Sequence, residues 1–204
     1  MNQSEKAKPL LKDLTVAAHR AYQRGIQTGS GGNLSVRVPG QNNMIVKASG
    51  GSFADCTEYG EGYITTNFEG TPVAGETGKP TREALLHGTI YKTLSSVGGV
   101  VHCHSPWAIA FSFQKKDLPM VTWHSQLKFG CEIPVLDVEA AVVPKEELQK
   151  IEKMLEKNPK LPAFILVGHG VVAMGKNAID AEHVAEMVEE TAQIAMLKAL
   201  NPSV

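Results

Sequence analysis

Two histidines stand two residues apart in the run Val-Val-His-Cys-His, at His102 and His104. Residues two apart on a strand project from one face, so the two imidazoles point together and Cys103 points the other way. Two imidazoles on one face can chelate a cation, although ordinary strand histidines have the same spacing. A third candidate, His169, lies between Gly168 and Gly170 just after the apolar run Phe164 to Val167. Glycines permit a tight turn there and a close approach by a ligand. Three His with one position left open is the donor set of a catalytic zinc site rather than a structural one. Of the other histidines, His19 and His183 fall among charged residues on helices and read as solvated. His87, one turn after Glu83, reads as a packing or hydrogen-bonding residue.

Glu83 sits at the start of a helix that feeds directly into the His-x-His strand. A carboxylate there can reach the open metal position and move a proton. The competing reading is a helix-dipole glutamate, worth about 1 kcal/mol or less. Position alone leaves the two level. Two glycine loops, Gly29-Ser30-Gly31-Gly32-Asn33 and Ser49-Gly50-Gly51, lie at strand boundaries. Such loops offer backbone N–H groups to anions, and Thr81 and Arg82 at a helix start can complete an anion site. Neither loop is a Walker or Rossmann fingerprint, and each alone is also a plain turn.

The elements that must position these groups alternate in type. Periodicity predicts a helix over 4–25, with Leu10, Leu11, Leu14, Val16, Ala17, Ala21 and Tyr22 on its apolar side. Strands follow over 34–38, 44–48 and 63–67, then a helix from Thr81 to about Ser96 and the strand 100–104. Pro106 opens another helix, 133–136 reads as a strand, and 144–157 is a charged amphipathic helix. Strands 164–167 and 171–174 precede a final helix from Asn177 or Asp180 to about Leu200. Its stripe is Val184, Met187, Val188, Thr191, Ile194 and Ala195. This mixture predicts one layered α/β or α+β domain over residues 1–204.

Composition narrows the function. The 204 residues are 43% apolar and carry a formal net charge of −1, so nothing draws the whole chain to nucleic acid or an anionic membrane. An anionic ligand must be caught locally. Cys56, Cys103 and Cys131 form no CxxC pair and suit a reducing cytoplasm. The opening MNQSEKAKPLLKDL has no apolar segment of a secretory signal, and no window approaches the roughly 20 apolar residues of a membrane span.

The ordered set Gly-Asn-Leu-Ser-Val-Arg, Lys-Ala-Ser-Gly-Gly, Lys-Pro-Thr-Arg-Glu, His-Cys-His-Ser-Pro and Gly-His-Gly resembles the class II aldolase/adducin family over roughly residues 8–200. The resemblance implies a single three-layer α/β/α domain with a mixed central sheet, assembled as a homotetramer with active sites between subunits. It implies one zinc ion per chain on His102, His104 and His169, with Glu83 as the acid/base. It implies a phosphate cradle of Gly32, Asn33, Ser49, Gly50 and Thr81. The expected activity is cleavage of a small phosphorylated ketose through a metal-stabilised enediolate. Decarboxylation of a 3-oxo-tetronate phosphate or related sugar acid is the alternative, and a non-catalytic adducin-like interaction module is the reading from another class. An epimerase fits less well, because the family's epimerases carry Asp where Glu83 stands.

Two departures bear on the choice. Fuculose-phosphate aldolases have Ser-Ser before the Glu, whereas Thr81-Arg82 is similar to the decarboxylase branch. At the place of the tyrosine that donates a proton in the aldolases stands Trp123, so either the neighbouring His124 takes the catalytic role or the second half-reaction differs. The apolar segment Leu118 to Phe129 is expected to meet a second copy of the chain.

Overall fold

A computed structural model describes residues 3–138 and 140–200, with side chains from Ala7 onward. Helix α1 spans Gln3–Gln23 and is followed by β1 (Asn33–Arg37), β2 (Asn43–Lys47) and β3 (Tyr63–Asn67). Helix α2 (Ala84–Thr93) leads into β4 (Gly99–Cys103), then α3 (Pro106–Ser112) and α4 (Trp123–Phe129). The chain continues through β5 (Val135–Leu136), α5 (Lys145–Lys157), β6 (Ala163–Leu166), β7 (Gly170–Gly175) and α6 (Ala178–Leu200). The strands form a single seven-stranded sheet in the order β3-β2-β1-β4-β7-β6-β5. Only the β5–β6 pair is parallel, so the sheet is mixed, as expected.

Alternation along the central strands divides the core into two. Leu34, Val36, Val101, Cys103, Val171 and Ala173 face a layer containing α1, α3 and α6. Val100, Val172, Met174 and Phe164 face α2 and α5. Each fully buried large apolar side chain, such as Leu86 and Ile90 of α2, contributes about 1.5–3 kcal/mol relative to exposure. Leu148, Ile151 and Leu155 give α5 its buried stripe at helical spacing.

Most expected elements are present within a few residues, with instructive differences. Val188 and Thr191 of the expected α6 stripe are buried, but the rest of the buried apolar face is Ala178, Ala181, Ala185 and Ala192, because small residues let the helix lie close on β4 and β7. Val184, Met187 and Ala195 pack only at its margin. On α1, Val16 and Tyr22 are exposed, while Leu14, Ala17, Ala18 and Ala21 are buried. Helix α2 starts at Ala84, not Thr81, because Glu83 is its non-helical cap with φ −99° and ψ 14°. Pro134 lacks the N–H a ladder needs, so Ile133 pairs separately with Leu118 and β5 begins at Val135. His19 is not solvated: it is half-buried and bonded to the Cys56 carbonyl at 2.9 Å. His183 is exposed.

Candidate active site

Sheet register builds the centre. Asn33 of β1 lies opposite His102 of β4, and Ser35 opposite Val100. These four side chains share the face covered by α2. Helix α2 brings Glu83, His87 and Tyr91 to that face at i, i+4 and i+8, which is one helical stripe. Glu83 therefore stands over the end of β4, where His104 follows His102. His169 reaches the same point from the turn between β6 and β7. Gly170 makes that turn possible: a Cβ on it would lie 2.2 Å from the Cys103 carbonyl oxygen.

The three imidazoles converge. One ring nitrogen from each of His102, His104 and His169 lies within 4.8 Å of the others, and no other such cluster of metal-ligand side chains occurs among the described residues. His102 Nδ1 donates to the Val171 carbonyl at 2.9 Å, which turns Nε2 toward the cluster. That Nε2 is 3.3 Å from His169 Nε2 and 3.3 Å from Glu83 Oε2. Burial pulls the pKa of His104 down to about 4 and lowers that of His169, with the neighbouring imidazoles acting in the same direction. Three imidazole nitrogens crowded at one point, with His169 Nδ1 buried and unpartnered, are an arrangement a divalent cation would satisfy, so the residues fit such an ion.

Glu83 is buried, which pushes its carboxyl pKa up. His102, the Asn33 amide, His169 and His87 outweigh that effect and leave it below the ordinary value. Oε2 accepts from Asn33 Nδ2 at 3.0 Å, whereas Oε1 is buried without a partner. The residue thus has one oxygen held and one unengaged.

A cavity of about 240 Å³ opens beside this centre. His104, His169 and Glu83 form one side of its lining, and Gly31, Gly32, Ser49, Gly50, Thr81 and Arg82 contribute the rest of the expected residues. Backbone pairing holds the second glycine loop in register with Thr81: Ser49 N–H donates to the Lys79 carbonyl and Thr81 N–H to that of Lys47. Gly32 needs its positive φ of 61°, and a Cβ there would meet Gln27 Oε1 at 2.3 Å and the His102 carbonyl at 2.8 Å.

Three expectations change in detail. Asn33 lines the cavity, yet its amide is engaged by Glu83 and His87, leaving one Nδ2 hydrogen for a ligand. Arg82 is exposed at the mouth rather than enclosed. His124 is exposed on α4 and is not part of the cavity lining within one chain.

Two further residues of the site lie outside the sequence expectations. Lys47 ends the apolar β2 on a buried face and lines the cavity, with its ammonium pKa lowered by burial. Its place in Lys-Ala-Ser-Gly-Gly was the available signal. Gln27 is buried, accepts from His104 N–H at 2.8 Å and donates to the Thr28 carbonyl at 2.7 Å. It ties the first glycine loop to the His104 backbone, a contact no local pattern announces.

The family model described as Class II Aldolase and Adducin N-terminal domain matches residues 12–196. The chain belongs to this family. A class II aldolase family member from Methanococcus maripaludis, an L-fuculose phosphate aldolase, is 29% identical over 184 residues, covering 90% of this chain and 94% of its own. A 3-oxo-tetronate 4-phosphate decarboxylase from Haemophilus influenzae is 30% identical over 189 residues, covering 90% and 85%. In structure, the L-fuculose-1-phosphate aldolase of Thermus thermophilus superposes with a TM-score of 0.81 at 24% identity, covering 96% of both chains. Both class II family relatives act on phosphorylated substrates by their names, and the fold is shared throughout. Within the described residues, no helix is long and apolar enough to cross a membrane.

Proposed function

We propose that this chain is a zinc-dependent aldehyde-lyase that cleaves a small phosphorylated ketose, with one ion on His102, His104 and His169 and Glu83 as the acid/base. The observation that carries this is the convergence of three imidazole nitrogens beside the unpartnered Glu83 Oε1, in a cavity lined also by Lys47 and, at its mouth, Arg82. A bound zinc supplies Lewis acidity toward the carbonyl and hydroxyl oxygens of the substrate. Lys47, Ser49, Gly50 and Thr81 hold the phosphate and so fix the reacting carbons against Glu83. Glu83 then carries the proton between solvent and the carbon next to the carbonyl. Its held oxygen fixes the carboxylate while Oε1 does the transfer.

The second reading is decarboxylation of a sugar-acid phosphate. It is favoured by the pair of cations lining one small cavity, Lys47 and Arg82, which suits a substrate carrying both a phosphate and a carboxylate. The intact donor set and Glu83 speak against a non-catalytic module. We further propose a single domain over residues 1–204, a cytoplasmic setting and a homotetramer. Free Cys56, Cys103 and Cys131 and the exposed Trp123 and Leu127 of α4 support the last two. His124, next to Trp123, acts as proton donor only if the site is completed across a subunit contact.

The test is metal analysis of purified protein, then a screen of phosphorylated ketoses and 3-oxo acids at the measured metal loading. Bound zinc near one per chain with turnover on a ketose phosphate is expected. Protein that binds no divalent ion would overturn the proposal, and turnover confined to oxo acids would select the second reading. Light scattering of active protein checks the assembly, and a monomer would contradict it.

A further inference from the structure

Behind Glu83 lies a buried file of polar side chains that the proposed chemistry does not use. Tyr91 Oη is 2.8 Å from Ser35 Oγ, and Ser35 Oγ is 2.7 Å from His87 Nδ1. His87 Nε2 is 2.5 Å from Asn33 Oδ1, and Asn33 Nδ2 is 3.0 Å from Glu83 Oε2. Asn33, Ser35, His87 and Tyr91 are all buried, with His87 and Ser35 wholly so. In an apolar surrounding such a file persists only if donors and acceptors match at every link.

The matching has one solution. A carboxylate only accepts, so Asn33 must present Nδ2 to Glu83 and therefore Oδ1 to His87. An amide oxygen only accepts, so His87 must carry its proton on Nε2. Burial holds His87 neutral, its pKa pulled down to about 3, so Nδ1 is a lone pair and Ser35 must donate to it. Ser35 then accepts from the Tyr91 hydroxyl. Every donor points toward Glu83.

We propose that His87 is a positioning residue: locked as the Nε2–H tautomer by Ser35 and Tyr91, it fixes the Asn33 amide with its N–H on the Glu83 carboxylate, so that only Oε1 is left to carry the proton. Without His87 the Asn33 amide can rotate and offer its oxygen to Glu83, which repels the carboxylate. Sequence spacing alone cannot give this, because the file joins β1 residues two apart to α2 residues four apart. The proposal rests on Glu83 being the proton carrier, whereas the tautomer does not.

Two measurements test it separately. Long-range proton–nitrogen spectra of labelled protein should show His87 with a protonated Nε2 and bare Nδ1; the opposite tautomer would overturn the proposal whatever Glu83 does. The second uses zinc-loaded enzyme and solvent-deuterium exchange into dihydroxyacetone phosphate. His87→Leu should lower the maximal exchange rate by roughly tenfold or more, with KM for dihydroxyacetone phosphate and zinc content near parental. His87→Gln, which keeps an N–H toward Asn33, should recover part of that loss. Tyr91→Phe removes only the last hydroxyl and should give a smaller loss, with its thermal midpoint measured alongside to separate this from misfolding. A His87→Leu protein that stays folded and exchanges within twofold of parent would overturn the positioning role. If Glu83→Gln also exchanges at the parental rate, the reading of Glu83 fails instead, and the tautomer result still stands.

Discussion

Glu83, capping α2, and Glu182, within α6, are both buried glutamates against opposite faces of one sheet, and their surroundings drive them in opposite directions. Each has one oxygen engaged and one buried without a partner. Glu83 is held by the Asn33 amide in a cluster of imidazoles, and its pKa falls below the ordinary value despite burial. Glu182 of α6 accepts from Arg20 Nε at 2.9 Å, yet burial and the neighbouring Glu186 raise it to about 7. Burial pushes both up, so the sign is decided by what else is close. A second carboxylate beside Glu182 invites a shared proton, whereas donors beside Glu83 keep it ionised. The unpartnered oxygen of Glu83 borders a cavity, whereas Glu182 is wholly buried beside Arg20 of α1 and outside that lining, so only the first can meet a ligand.

The largest break in this contrast comes from His102→Ala. It removes a proposed ligand and the strongest neighbour lowering Glu83, while leaving Glu182 untouched. Metal content should fall steeply, and turnover should drop by several kcal/mol of activation free energy, roughly 10³-fold. Metal analysis and turnover on the same sample check this; unchanged metal in the His102, His104 and His169 alanine variants would remove the centre. A smaller effect is expected from Gly32→Ala. Its Cβ would meet backbone and Gln27 at sub-contact distances, so we expect a loss of about 1–3 kcal/mol in stability with weaker substrate binding. Thermal unfolding and KM measure the two parts.

The smallest effect sharpens the other side. A carboxyl whose folded pKa is raised from 4.5 to about 7 binds a proton more tightly when folded than when unfolded. Its contribution is present below about pH 4.5 and is lost as pH rises toward 7. Glu182→Gln should therefore flatten the decline of the thermal midpoint between those pH values while leaving turnover near parental. A midpoint profile parallel to the parent's would show that Glu182 does not titrate there.

Much of the site was legible because it follows period-two and period-four spacing. His102 and His104 share a strand face, and the glycines around His169 announced a tight turn. The strands over β1 to β4 were placed within a residue. What spacing alone did not show were meetings between elements: the stripe Glu83, His87 and Tyr91 was visible on α2, but not that Asn33 and Ser35 lie beneath it. Lys47 looked like the polar end of a strand, since burial of a cation depends on the partner loop. Of the expected α6 stripe only Val188 and Thr191 are buried, because close packing on the sheet selects small residues over bulk. Helix α4 was passed over because its seven residues carry mostly exposed side chains and its capping box lies in Thr122 and Ser125.

The most direct measurement of the central claim is solvent-deuterium exchange into dihydroxyacetone phosphate by zinc-loaded Glu83→Gln, with zinc content and thermal midpoint taken on the same sample. An amide keeps the shape of the side chain and a contact to Asn33 but cannot carry the proton. Exchange should fall by roughly 10²–10⁴-fold, while zinc stays bound on its three imidazoles and the midpoint moves little. Exchange at the parental rate in folded, zinc-bearing Glu83→Gln would contradict the claim that Glu83 moves the proton.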